Sequence, residues 1–200
     1  MKDLDYRKIV SEAMDYADYR ALVTELNGQG KTTGPDQSEV KLYATGLNIK
    51  RMDKWDKIAK FSPEVVERVN NLRCLYTWLV LTEGWCGDAA QIVPFAAKLA
   101  SETPLINLKL ILRDENPEVM DQFLTEGTKS IPKIVVLDDA FNVTADWGPR
   151  PKPAQEILRK HKTGPEWDKD AFHEDLHLWY AKDRGLHTMN ELIDLVDQCG

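Results

Sequence analysis

The sequence predicts an α/β fold: a central mixed sheet of about four strands flanked by helices, with further helices at both ends of the chain. Three observations carry this. Residues 75–81 form a nearly unbroken apolar run, as a strand covered on both faces requires. A helical stretch separates it from a second such run at 106–112, and strands joined through a helix lie parallel with a right-handed crossover. A third run, 133–137, is followed after a short turn by 142–147, the spacing of a hairpin.

Taken in order, the chain opens with a helix over residues 4–24, where Ile9, Val10, Ala13, Met14, Ala17 and Ala21 recur at spacings of three and four. Asn27-Gly28-Gln29-Gly30 ends it, and 31–36 is a turn-rich loop. A second helix spans about 38–59, with Val40, Ala44, Leu47, Trp55 and Ile58 as its expected buried face. Lys50, Arg51, Lys54, Lys57 and Lys60 read as a solvated basic face. Ser62 caps a short helix whose first turn holds Pro63.

The first strand, 75–81, leads through a turn at Cys86 into a helix kinked by Pro94, whose ring removes one backbone hydrogen bond. The second strand is followed by a helix over 118–125 that Gly127 breaks. After the hairpin come helices at about 153–161 and 167–182. The last begins at Thr188, with Thr188 and Glu191 as a capping box, and runs to near Cys199. The expected organisation is a helical extension over 1–70, a core over 71–162 and a second helical extension over 163–200 that packs on the core.

Composition excludes several classes. A chain of 200 residues with 42% hydrophobic and 30% charged residues is an ordinary globular domain. Its net charge of −7 argues against nucleic acid or an anionic membrane as partner. No apolar run reaches the roughly 18 residues of a membrane span. Acids at Asp3 and Asp5 replace the basic-then-apolar start of a secretory leader, so a cytoplasmic protein is expected. Three cysteines at wide spacing, Cys74, Cys86 and Cys199, argue against a disulfide scaffold, and the absence of a C-x-x-C pair argues against a zinc ribbon.

The chemistry concentrates at Trp85-Cys86-Gly87-Asp88. Cys86 stands where a strand hands over to a helix, so it meets unpaired backbone N–H groups and the positive end of the helix dipole, both of which favour thiolate. Asp88 works against this, because a nearby negative charge disfavours thiolate. Asp88 reads first as an acid that stabilises the first helical turn and, as the functional alternative, as a proton acceptor for the thiol. Arg150, in a proline-bounded loop, is a surface arginine or a group that holds thiolate or a substrate carboxylate.

These residues resemble the thioredoxin family over roughly 70–162. Trp85-Cys86-Gly87 matches the start of the family's W-C-G-P-C motif, and Pro94 follows Cys86 by eight residues. Asp114-Glu115-Asn116-Pro117 matches its D-x-N-P, Ile131-Pro132 its cis-proline, and Trp147-Gly148 the glycine bordering the active surface. More closely, W-C-G-D-A with S-I-P-K and W-G-P-R-P is similar to a bacterial thioredoxin-like group with helical ends. The expected site has Cys86 and Asp88 as catalytic groups and Trp85, Gly87, Ile131, Pro132, Trp147 and Arg150 as substrate contacts, with the contacts of Ile131 and Pro132 resting on the resemblance alone.

The departures bear on mechanism. Ala89 stands where the family has its second cysteine, Asp88 where it has the motif proline, and Val80 where it has a buried acid. A dithiol enzyme resolves its mixed disulfide with the second cysteine. Cys74 lies about 25 Å away at ordinary strand rise. The expected activity is therefore monothiol thiol–disulfide exchange at Cys86 with protein or low-molecular-weight thiols and disulfides, resolved by an external thiol such as glutathione and requiring no bound cofactor. The alternative is a non-catalytic module that binds protein or peptide.

A third motif stands apart. His173-Glu174-Asp175-Leu176-His177 is a literal H-E-x-x-H on a predicted helix, where histidines at i and i+4 share a face and hold zinc in some hydrolases with the glutamate as base. No third ligand is evident, and Ala171, Phe172, Leu176, Trp179 and Tyr180 mark the helix as a packing element. No metal site is expected, and a zinc hydrolase through His173, Glu174 and His177 is a remote alternative.

Overall fold

The computed structural model describes residues 4–163 and 167–196. The sheet runs in the order β2-β1-β3-β4, with β1 (Tyr76–Thr82), β2 (Ile106–Leu112), β3 (Lys133–Leu137) and β4 (Val143–Trp147). β1 is parallel to β2 and antiparallel to β3, and β3 is antiparallel to β4. Every residue of β1 and β3 is buried, whereas the edge strand β4 is largely exposed. The central strands therefore carry the continuous apolar runs, because both of their faces are covered.

α5 (Gly87–Ser101) makes the crossover between β1 and β2 and is itself nearly all buried from Asp88 to Ala96. It is buried because other helices cover it. α3 (Glu39–Ile58) lies on it, with the Trp55 ring 5.1 Å from that of Phe95 and the Trp55 indole donating to Gln91 Oε1 at 2.6 Å. α9 (Leu186–Asp194) packs on both α5 and α4 (Pro63–Asn70). α7 (Lys152–Thr163) pairs with α8 (Lys169–Asp183).

Four local expectations change. The first helix is two, α1 (Tyr6–Glu12) and α2 (Tyr16–Gly28). Met14, between them, exchanges backbone hydrogen bonds with Leu110 at 2.9 and 2.8 Å, so pairing to the edge of β2 outweighs helix continuity. α3 buries Thr45, Asn48, Met52 and Trp55, while Val40 and Ile58 are exposed. The segment after β2 forms only a 3-10 turn (Arg113–Glu115) and the four-residue α6 (Pro117–Met120).

The capping box does not form. α9 starts at Leu186, and Glu191 instead accepts from the Trp147 indole and from the Lys152 backbone N–H, each at 2.9 Å. Cys199 lies outside the described residues. No described helix is long and apolar enough to cross a membrane.

Candidate thiol site

Cys86 is the N-cap of α5, set there because the chain turns sharply between the end of β1 and the helix. The turn is clamped by the N-terminal part of the chain. The Gly84 N–H donates to Thr33 Oγ1 at 2.9 Å, and the Gly84 carbonyl accepts from Asn48 Nδ2 at 3.0 Å. A side chain at Gly84 would stand 3.1 Å from both methyls of Val23. Glu83, fully buried, accepts from the Asp114 N–H at 2.9 Å, and burial raises its pKa. The loop between α2 and α3, through Thr33, and α3, through Asn48, thus supply hydrogen bonds to the turn before Cys86, while Val23 of α2 packs against it.

The thiol is protonated by its own geometry. Its S–H donates to the Ile131 carbonyl at 3.3 Å, while Sγ accepts from the Ala89 N–H at 3.4 Å. The Ile131–Pro132 peptide is cis. Cys86 is only 7% exposed. Burial first, and then the Asp88 charge, push its pKa up to about 12, against the smaller opposing pull of the Ala89 and Asp88 N–H groups and of Arg150. The helix start favours thiolate as the sequence implies, but desolvation is larger.

Asp88 and Arg150 form an ion pair at 2.5 Å, and the Tyr180 hydroxyl on α8 donates to Asp88 at 2.8 Å. Asp88 is therefore held by two partners rather than left to accept the thiol proton. The Arg150 guanidinium also lies 5.7 Å from the centre of the Phe172 ring.

Above this group lies a cleft of about 710 Å³. Of the residues singled out in the sequence, Trp85, Cys86, Gly87, Asp88, Ile131 and Arg150 line it. Pro132 and Trp147 do not, and Trp147 is buried with its indole bonded to Glu191. Opposite walls come from α3, through Asn48 and Arg51, and from α8, through His173 and His177. Arg51 reaches across the cleft, donating to Asn48 Oδ1 at 2.9 Å and to His177 Nε2 at 3.1 Å.

The H-E-x-x-H pair thus sits beside the thiol, but its donors do not suit zinc. An arginine only donates, so His177 Nε2 is occupied as an acceptor. No group of three metal-ligating side chains occurs among the described residues. Burial and the Arg51 charge lower the His177 pKa to about 4, so the imidazole is neutral at pH 7.

Sequence reading missed Arg51, Tyr180 and Glu83 as parts of the site. Arg51 sits in a run of basic residues that reads as solvated, and Tyr180 in an apolar stripe that reads as packing. Glu83 alone carries a signal, an acid at the inner end of an apolar strand.

Comparison with known proteins places the chain in a family. A family model described as thioredoxin matches residues 34–164. The chain belongs to the thioredoxin family. Thioredoxin of Bacillus subtilis is 35% identical over 79 residues, spanning 38% of this chain and 73% of the relative. Thioredoxin of Chlamydia muridarum is 26% identical over 103 residues, 50% of this chain and 98% of the relative. A Pseudomonas aeruginosa protein of unknown function shares the fold over nearly the whole length, with a TM-score of 0.64, 18% identity and coverage of 98% of this chain and 99% of that one. An epitope scaffold matches equally, at 0.64 and 19% over 98% of this chain and all of the other. The thioredoxin match includes α3, so this family member brings one wall of the cleft within the matched region.

Proposed function

We propose that this thioredoxin-family chain binds a small molecule in the Cys86 cleft, with the thiol held in its protonated form and not used as a resting nucleophile. The observation that carries this is the burial of Cys86 beneath walls formed by α3 and α8. Cys86 is only 7% exposed at the base of the cleft, which disfavours docking of a bulky protein disulfide, and the cleft volume falls in the range of about 300–1,000 Å³ typical of small-ligand sites. The loss of the resolving cysteine at Ala89 points the same way. This narrows the binding-module alternative from peptides to small ligands. The test is ligand binding by wild-type protein and by Cys86→Ser. Equal binding supports the reading, and loss of all activity with the thiol counts against it.

A second reading is monothiol thiol–disulfide exchange, favoured by the Ala89 N–H directed at Sγ and by the position of Cys86 beside the Ile131–Pro132 peptide. In that cycle the Cys86 thiolate attacks a disulfide, one thiolate leaves, and an external thiol such as glutathione releases the second half as a new disulfide. It assigns the protein to a reducing compartment, the cytoplasm, with thiols and disulfides of low molecular weight as partners. It predicts turnover in a glutathione mixed-disulfide assay that Cys86→Ser abolishes. Wild-type protein without turnover would remove it.

A further inference from the structure

We propose that the ligand of the Cys86 cleft is a small anion bearing a carboxylate or phosphate group, taken as counter-charge by Arg51 above Gly87 at the start of α5. The proposal rests on the small-ligand reading and specifies its chemistry. Six cationic side chains line the cleft, Lys41, Arg51, Arg113, Lys129, Arg150 and Lys169, against the single acid Asp88, although the chain as a whole carries −7. Four of the six have a carboxylate partner: Lys41 with Asp36, Arg113 with Asp114, Lys129 with Asp121, and Arg150 with Asp88. Arg51 and Lys169 have none among the described residues.

Arg51 is the informative one. Its hydrogen-bond partners are Asn48 and His177, both neutral at pH 7, and burial lowers its pKa. Asp88 acts on it only through space. A partly desolvated guanidinium without a carboxylate partner is costly, and an anion that pairs with it relieves the cost. The guanidinium is well placed for this, since a Cβ on Gly87 would lie 3.6 Å from an Arg51 terminal nitrogen and 3.7 Å from the His177 ring.

The positive potential is reinforced by orphaned donors. Because Nε2 of His177 accepts from Arg51, the proton of the neutral ring is on Nδ1, and that buried atom has no partner. The same holds for Arg150 Nε and the Trp85 indole nitrogen. On the lining residues, every buried polar side-chain atom left without a partner is a donor. The N-terminus of a 15-residue helix, α5, adds its dipole in the same sense.

The test uses the full chain labelled with ¹⁵N, titrated with succinate, with inorganic phosphate and with uncharged succinamide, and followed through the amide signals of Gly87 and Asp88. Saturable shifts with succinate or phosphate, and at least tenfold weaker binding of succinamide, are expected. Whichever of the two anions saturates first separates carboxylate from phosphate ligands. Arg51→Gln is expected to weaken anion binding at least tenfold. Lys169→Glu, a change at an exposed position that leaves the core intact, is expected to weaken it severalfold. Succinamide binding as well as succinate, or Arg51→Gln and Lys169→Glu both leaving anion affinity unchanged, would overturn the anion assignment while the small-ligand reading stands. A cleft that no probe perturbs would overturn both.

Discussion

Asp88 and Arg150 are paired at 2.5 Å directly beside a thiol, and the pair is anchored to α8 by the Tyr180 hydroxyl. The negative partner opposes ionisation of Cys86 and the positive one favours it, with Asp88 the larger influence. One ion pair thus links thiol chemistry to the docking of a helix far away in the sequence.

Asp88→Asn separates these two roles. It removes the negative charge that raises the Cys86 pKa, so alkylation by iodoacetamide at pH 9 should become faster than in wild type. It also leaves Arg150, with 17% of its side chain exposed, without a counter-charge, which should cost about 3 kcal/mol in urea unfolding. A variant that is both as stable and as unreactive as wild type would show that the pair has neither effect.

The pH profile of wild-type Cys86 follows from a thiol pushed up to about 12. Only the thiolate reacts, so the alkylation rate should rise about tenfold per pH unit from pH 7 to 10 with no plateau. A plateau below pH 9 would mean that the thiol ionises in the ordinary range and would revive exchange chemistry at rest.

His177 contributes to acid sensitivity. Its folded pKa is depressed to about 4 from the ordinary imidazole value of 6.5, so the unfolded chain takes up the proton first. The neutral ring's contribution is therefore fully present above pH 6.5 and is lost as pH falls from 6.5 towards 4. His177→Gln should unfold with a shallower dependence on pH across that window, read by thermal denaturation at half-unit steps. Identical slopes would place the pH dependence elsewhere.

Gly148→Ala tests the backbone packing against the Ile131–Pro132 segment. Gly148 has φ of +126°, and an added Cβ would lie 2.2 Å from the Pro132 carbonyl oxygen. Backbone meets the new methyl, so no rotamer relieves the contact. Destabilisation by more than about 2 kcal/mol is expected, together with faster Cys86 alkylation as the 131–132 segment shifts.

The elements of the core were legible because each depends on local pattern. The continuous apolar run at 75–81 and its helix-linked partner at 106–112 announced parallel buried strands, and the 133–147 spacing announced the hairpin. The buried face of α3 was not legible. Val40, Ala44 and Leu47 line the cleft instead of the core, while Thr45 and Asn48, polar by composition, are buried. Asn48 is buried because the Gly84 carbonyl needs its amide, a partner 36 residues away. Glu191 likewise left its expected cap for the Trp147 indole and the Lys152 N–H.

By itself the sequence determined the position of the thiol, at the turn between β1 and α5, and the absence of a resolving cysteine at Ala89. Those are properties of neighbours along the chain. Only the tertiary structure decided the state of that thiol, because a pKa depends on what surrounds the sulfur in space. Helices from both ends of the chain wall the cleft, take the thiol out of water and bring Arg51 and His177 over Gly87. Desolvation then outweighs the helix start.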